Sequence, residues 1–535
     1  MHSKFWSKFS QYFYRGMYSK IKWTTWLITN LAMVSMGVEL TERPDLLIFL
    51  VDDLGYGDVG FNKEGDSDGS GESPTPNMDA FSKKGIRFTD YHSPYAVCTP
   101  SRASLLTSRL GARTGLYSLL NAKSIGGLPT TEYTLSEHLK KIDYSTFAIG
   151  KWHLGHQDNY HPNDRGFDHY LGVPYSLDMG CLDYPGYSHP EHLSCKRDIT
   201  DEVAIPLYRD KTIIQQPLDL RTLSDIYFQE FQQRMEEIHQ KKTNFFGYIP
   251  FSKVHVPLGF AEHSPNGTAF SDNLKELDMN FGRMIQTVKD LGLFENTVIW
   301  LISDNGPWEL ECQFAGQPGK FQGLWQKMKT GGGGGTSWKE TIWEGGHRVP
   351  AVVTWPQYIK EGRVSDALIS GLDIMPTMAS LMGFELPTDR HYDGEDLSRV
   401  LKDGSDEGRL TLFHPRSNAR DNEITAVRWK NYKAVFKSGG LRLLDCHFGS
   451  SMARTYDPPL LFDLKDDPSE AKPLDTTDPF NKALVSHLKD LLEKLNEDIA
   501  GDFKSKFDDR QDSSVMPCCN ARNRHCRCQP LIGSD

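Results

Sequence analysis

The sequence predicts an α/β protein with a buried central sheet, followed by a smaller antiparallel sheet that carries one helix. Three observations predict it. Leu46-Leu47-Ile48-Phe49-Leu50-Val51 and Thr297-Val298-Ile299-Trp300-Leu301-Ile302 are continuous apolar runs, as strands covered on both faces require. Helical periodicities lie between them, over 134–141 and 274–291. From about residue 390 the apolar segments shorten and turns multiply, at 426–429, 432–436 and 460–464. An amphipathic helix is expected over about 481–499. The expected division is therefore 45–390 for the α/β domain and 391–535 for the small domain.

The elements follow in order. Lys4, Lys8, Arg15, Lys20 and Lys22 precede an apolar stretch over 23–38, with the small residues Ser35 and Gly37 near its end. Residues 1–38 read as a secretory signal peptide with a long charged region, or as an uncleaved signal anchor. The stretch is short and carries Thr and Asn, so no stable membrane span is expected. With 535 residues the chain can bury a large core. Its 38% hydrophobic and 24% charged residues fit a soluble globular protein. The net charge of −11 argues against a nucleic-acid partner. A small anionic substrate stays open, because local charge decides that.

Both buried runs end in acids: Asp52-Asp53 after the first, Asp304-Asn305 after the second. Open α/β sheets bind their ligands beyond the carboxyl ends of such strands. Four hard oxygen donors without a softer ligand suit one divalent cation, Ca²⁺ first and Mg²⁺ second, rather than zinc. In Gly150-Lys151-Trp152-His153-Leu154-Gly155, Lys151 and His153 alternate along an expected extended segment and would face the same way. The lysine can hold an anion and the histidine can move a proton. Residues 331–335 are five glycines and read as a flexible loop. They lack the Gly-Lys-Ser/Thr ending of a phosphate-binding loop.

There are nine cysteines. Setting Cys98 aside leaves eight, an even number suited to disulfides in a secreted chain. The tail cluster Cys518-Cys519…Cys526-x-Cys528 could instead hold zinc, although it lacks C-x-x-C spacing. One glycosylation sequon begins at Asn266.

Cys98-Thr99-Pro100-Ser101-Arg102, continuing as Ala103-Ser104-Leu105-Leu106-Thr107, resembles the active-site signature of the type I sulfatases. The Lys151 hexapeptide resembles that family's second signature. Val173-Pro174-Tyr175-Ser176-Leu177-Asp178, Ile205-Pro206-Leu207-Tyr208-Arg209-Asp210 and the double-cysteine tail resemble its arylsulfatase A and arylsulfatase G branch. The likeness runs in order from about residue 45 to 530. It implies an alkaline-phosphatase-like fold, with a large mixed sheet flanked by helices. It also implies that Cys98 is oxidised to formylglycine, whose hydrate attacks sulfur and forms a covalent sulfo-enzyme.

The implied roles follow residue by residue. Asp52, Asp53, Asp304 and Asn305, with residue 98, hold the cation. Arg102 orients the hydrate and Asp304 helps deprotonate it. Lys151, Lys339 and Ser176 hold sulfate oxygens. His255 binds substrate and protonates the departing alcohol, and His153 takes the second proton. The implied partners are a sulfated small molecule, glycolipid or glycan and the formylglycine-generating enzyme, with a homo-oligomer open. The implied location is the secretory pathway, lysosomal or extracellular. The implied disulfides are Cys181–Cys195, Cys312–Cys446, Cys518–Cys526 and Cys519–Cys528. Two departures stand out: Asp143 and Ser108 occupy positions where the family usually has Gly. Two other readings compete. One is a metal-dependent phosphatase or phosphodiesterase on the same fold, and the other a secreted matrix or storage protein without turnover.

Overall fold

The central sheet has ten strands. Its order is Arg363–Ser365, Ile86–Phe88, Ala351–Thr354, Thr297–Ser303, Asp45–Val51, Phe245–Pro250, Ser145–Lys151, His169–Val173, Leu207–Arg209 and Thr212–Gln215. The middle five run parallel, and the neighbours on either side run antiparallel, so the sheet is mixed. This is a computed structural model. It describes residues 43–528 except 64–72, 190, 192, 196–202, 262–266, 417–422, 441–443 and 448. The expected signal segment and Asn266 of the sequon lie outside the described residues.

The two apolar runs become the two central strands, and every residue of each is buried. Alternation divides their side chains between two cores. Leu46, Ile48 and Leu50 pack with Leu105, Leu106, Met375 and Met378. These come from the helices Cys98–Thr107 and Ile374–Met382. Leu47, Phe49 and Val51 pack with Tyr227, Phe231, Leu277 and Phe281 on the opposite face. Those belong to the helices Leu223–Lys241 and Ala269–Asp290. The predicted short helix is Leu135–Lys140, started by a capping box between Thr134 and Glu137. Among the described residues, no helix is long and apolar enough to cross a membrane.

The later segments form a four-stranded antiparallel sheet, Thr411–Pro415, Ile424–Trp429, Tyr432–Gly440 and Ser451–Asp463. The last helix is Pro479–Gly501, longer than expected at both ends. Pro479 and an Asp478 side chain that accepts from the Phe480 and Asn481 amides set its start. Leu484, Val485 and Leu488 pack on Val427, Ala434 and Leu461 of the sheet.

Two expectations change. Residues 331–335 are pinned: the Gly332 amide donates to the Trp325 carbonyl at 2.7 Å, and Gln326 Nε2 donates to the Gly334 carbonyl at 2.8 Å. Three of the four implied disulfides are present, Cys181–Cys195, Cys518–Cys526 and Cys519–Cys528. The tail sulfurs are thereby occupied, which leaves no thiolates for zinc. Cys312 and Cys446 are not joined. Instead the Cys312 sulfur meets the Cys446 carbonyl oxygen at 3.0 Å. The two departures, Ser108 and Asp143, both adopt the left-handed geometry that favours glycine. Ser108 has φ 58° and Asp143 φ 67°. A side chain in that left-handed region costs about 1 kcal/mol. Ser108 offsets part of it by donating to the Leu372 carbonyl at 2.8 Å.

A buried ionic layer lies where the small sheet meets the turn Glu344–His347. Arg428 pairs with Asp90 at 2.5 Å, and Lys433 bridges Glu344 at 3.0 Å and Glu470 at 2.8 Å. Beside it, His414 stacks between His92 (5.3 Å) and His347 (4.4 Å). Burial is the main force that lowers the basicity of all three rings, to about 3 for His347. They hold a proton less readily in the fold than in the unfolded chain. The unfolded chain therefore binds more protons below about pH 6.5, and stability falls as pH drops from there. Each such ring costs up to about 1.4 kcal/mol per pH unit. Replacing His347 by Gln should flatten the decline. Urea midpoints for wild type and H347Q between pH 7.5 and 4.5 check this; parallel curves would refute it.

Candidate active site

Strand register creates the site. Val51 pairs with Ser303, so the two central strands end side by side and release Asp52-Asp53 and Asp304-Asn305 together. Asp53 leaves its strand with φ 61°, a strained turn for a non-glycine residue. Its amide donates to Asp304 Oδ1 at 3.2 Å, and Asn305 Nδ2 donates to Asp53 Oδ1 at 2.7 Å. One strand over, Gly150 has φ 137°, and a Cβ there would lie 1.9 Å from the Pro250 carbonyl oxygen. Only glycine lets the chain deliver Lys151 at this point.

Lys151 Nζ lies 2.6 Å from Asp52 Oδ2, and Lys339 Nζ lies 2.6 Å from Asp53 Oδ1. Arg102 comes from the second turn of Cys98–Thr107 and is fully buried. Its Nε and Nη2 reach Asp304 Oδ2 at 2.9 and 2.8 Å, its Nη1 the Lys151 carbonyl at 2.6 Å, and its Nη2 Asp52 Oδ1 at 3.4 Å. Burial pushes the Asp52 carboxyl up, but Lys151 and then Arg102 hold it well below the ordinary range. Burial, followed by repulsion from Asp52, pushes Asp304 up to about 7.

Cys98 is the first residue of its helix, with Val97 at the N-cap. Its thiol stands 3.5 Å from Asp52 Oδ1. Burial raises its pKa well above the ordinary value, despite Lys151 and Lys339. The thiol is thus protonated and a poor nucleophile as it stands.

The alternation expected for Lys151 and His153 does not continue. The strand stops at Lys151, and His153 has φ 60°. Both are nonetheless buried. His153 Nε2 donates to the Leu120 carbonyl at 2.8 Å, and Nδ1 has no partner. Burial, then Lys151, keeps the ring neutral, so Nδ1 offers a lone pair. His255 Nδ1 donates to the Val256 carbonyl at 2.6 Å. Its Nε2 faces Ser176 Oγ at 3.5 Å and Asp53 Oδ2 at 3.6 Å. The site thus gathers Asp52, Asp53, Cys98, Arg102, Lys151, Ser176, His255, Asp304, Asn305 and Lys339. His153 adjoins it through its carbonyl, which accepts from Thr99 at 3.0 Å.

The donor set fits a hard cation. One donor atom from each of Asp52, Asp53, Cys98 and His255 lies within 4.8 Å of the others. Asn305 Oδ1 is buried with no hydrogen-bond partner, an oxygen left over for a ligand. Asp304 falls outside the tight group and pairs with Arg102.

The comparisons agree with this geometry. Residues 44–384 match the sulfatase family, and residues 407–528 match the C-terminal region of aryl-sulfatase. The chain belongs to the sulfatase family. It is 41% identical over 509 residues to arylsulfatase G of Canis lupus familiaris, covering 92% of this chain and 93% of that protein. It is 36% identical to arylsulfatase A of Bos taurus, covering 92% and 96%. The crystal structure of the PsFucS1 sulfatase from Pseudoalteromonas sp. superposes with a TM-score of 0.73 at 25% identity, covering 89% of this chain and 94% of that one. The sulfatase is accordingly a sulfuric ester hydrolase.

Sequence reasoning gave no role to three neighbours. Trp308 carries Lys339 Nζ 4.7 Å above its ring and the His255 ring 5.6 Å away. Glu311 accepts from the His189 amide at 2.6 Å, and burial pushes it up to about 7. Asp178 bonds Ser176. Only Asp178 had a signal, its place two residues beyond Ser176 in a family-like run. Arg102→Met should leave Asp304 and Asp52 short of charge in a dry site and cost about 3–5 kcal/mol. Urea unfolding measures it, and a loss below about 1 kcal/mol would refute the pairing scheme.

Proposed function

We propose that this sulfatase cleaves sulfate esters through a formylglycine made from Cys98, with one divalent cation, Ca²⁺ before Mg²⁺, as its resident metal. The observation that carries the reading is the Cys98 thiol, buried and protonated at the centre of three acids and three fixed cations. An unmodified thiol there is a weak nucleophile, whereas an aldehyde hydrate needs no thiolate. Asp52, Asp53, Asp304 and Asn305 would hold the cation, which supplies charge to orient and acidify the hydrate.

The chain's own groups divide the remaining work. Lys151 and Lys339 neutralise the sulfate oxygens, and their present bonds to Asp52 and Asp53 fix where those ammonium groups stand. Arg102 holds Asp304 in place as a proton acceptor. His255, in its doubly protonated form, gives the proton of Nε2 to the departing oxygen while its Nδ1 bond to Val256 fixes the ring; burial and then Lys339 oppose that charge, and Asp53 at 3.6 Å favours it. His153 takes a proton on Nδ1, the nitrogen that its Leu120 bond leaves free. The substrate reading is a sulfated small molecule, glycolipid or glycan. Maturation by the formylglycine-generating enzyme and residence in a lysosomal or extracellular compartment belong to the same proposal.

Two outcomes test it. The intact mass of the peptide containing residue 98 should show an aldehyde in place of the thiol, and Cys98→Ala should stay folded yet lose turnover of 4-methylumbelliferyl sulfate. A thiol mass on active protein would sink the mechanism, and a thiol mass on inactive protein would favour the matrix or storage reading. Separately, Ca²⁺ added to chelator-treated protein should raise the melting temperature. A concentration 100 times Kd corresponds to about 2.7 kcal/mol. Asp53→Ala should abolish the rise, and zinc as the stoichiometric metal would reopen the phosphatase reading.

A further inference from the structure

The loop after the strand His169–Val173 carries Ser176 and, two residues later, Asp178. The proposed chemistry uses the serine and gives the acid no task. Yet Asp178 is bound to the Ser176 side chain, and its Oδ1 is enclosed with no hydrogen-bond partner. Ser176 Oγ stands 3.1 Å from Lys151 Nζ and 3.5 Å from His255 Nε2.

Counting protons fixes the direction of each bond. A carboxylate only accepts and an ammonium only donates, while a hydroxyl has one proton and two lone pairs. The Ser176 proton therefore goes to Asp178. One lone pair of Oγ takes a Lys151 proton, and the other is left facing His255 Nε2. His255 Nδ1 already donates to Val256, so Nε2 carries a proton only when the ring is a cation; burial and Lys339 oppose that charge, and the Oγ lone pair backed by Asp178 is placed to receive the Nε2 proton when it is there. Ser176 then acts less as a donor to sulfate than as a relay from Asp178 to two cations.

We propose that Asp178 is a positioning residue of the sulfate-ester reaction, which through the Ser176 hydroxyl aligns Lys151 and the Nε2 proton of His255 for the departing oxygen. This rests on the acid role given to His255 above. The charges around Asp178 agree. Burial would raise its pKa, but His255 first, then the Ser176 bond, Lys151 and Lys339 bring it below the ordinary value. Asp178 is thus an anion facing the cationic side of the site.

The test is kcat and KM for aryl sulfates of graded leaving-group pKa, in wild type, Asp178→Ala, Asp178→Asn, Ser176→Ala and the double variant Asp178→Ala/His255→Ala. Asp178→Ala should lower kcat roughly 10- to 100-fold for the least acidic phenol, with little loss for the most acidic and a small change in KM. Ser176→Ala should show the same leaving-group trend. Asp178→Asn keeps an acceptor for the hydroxyl without the charge, and should recover part of the rate. Asp178→Ala should add nothing once His255 is Ala. Equal losses on every leaving group, or additive losses in the double variant, would overturn the proposal. A wild type without turnover would defeat the reading of function instead. The proposal would then be judged by the ¹⁵N shift of His255 Nε2, which should move in Asp178→Ala, and an unmoved signal would overturn it.

Discussion

Six buried acids and bases, packed where water does not reach, set the terms for the rest of the fold. Asp52, Asp53 and Asp304 face Arg102, Lys151 and Lys339. None of the six is more than 5% exposed. In a medium of low polarisability the loss of any one leaves an opposite charge unpaired. The polypeptide must therefore bring all six to one place from segments hundreds of residues apart. The parallel register of the two central strands supplies two of the acids directly, and Asp53 follows in its left-handed turn. The helix that begins at Cys98 supplies Arg102, and Gly150 supplies clearance for Lys151.

The balance also explains why the site can be ordered before any ligand binds. Each lysine already has a carboxylate, and Arg102 ties two acids to the end of a third strand through the Lys151 carbonyl. A sulfate entering such a site exchanges one set of fixed partners for another and needs little rearrangement of the chain. Preorganised charge of this kind does most of its work by having been positioned during folding.

Much of this was legible in the residues. Continuous apolar runs ending in acids identify strands buried on both faces and their ligand-bearing ends, because such a strand has no face that must be polar. The sulfatase-like motifs then single out Cys98, Lys151 and Lys339. Geometry without a sequence period was not legible. His153 reaches its place through a left-handed turn and not through strand alternation. The five glycines look loose in sequence, yet Gln326 and the carbonyls of Trp325 and Met328 hold them. Glu311 and Trp308 lie in a short irregular turn, where no pattern separates a site residue from a surface one. Ser108 and Asp143 show the reverse case. Both stand in left-handed turns that a glycine would have announced in the sequence.

The ionic layer beneath the small sheet has a wider meaning. Lys433 and Glu470 belong to that sheet and the turn following it, yet their partner Glu344 stands only five residues from Lys339 in the chain. The Glu344 amide also donates to Glu470 at 2.8 Å. The small sheet is in this sense a buttress for the segment that carries Lys339. In a mutational survey, substitutions at Lys433 or Glu470 would register as damage to catalysis, although neither residue approaches the substrate. A map of sensitive positions on this enzyme would therefore be larger than its active site, and would extend along the buried charges into the last quarter of the chain.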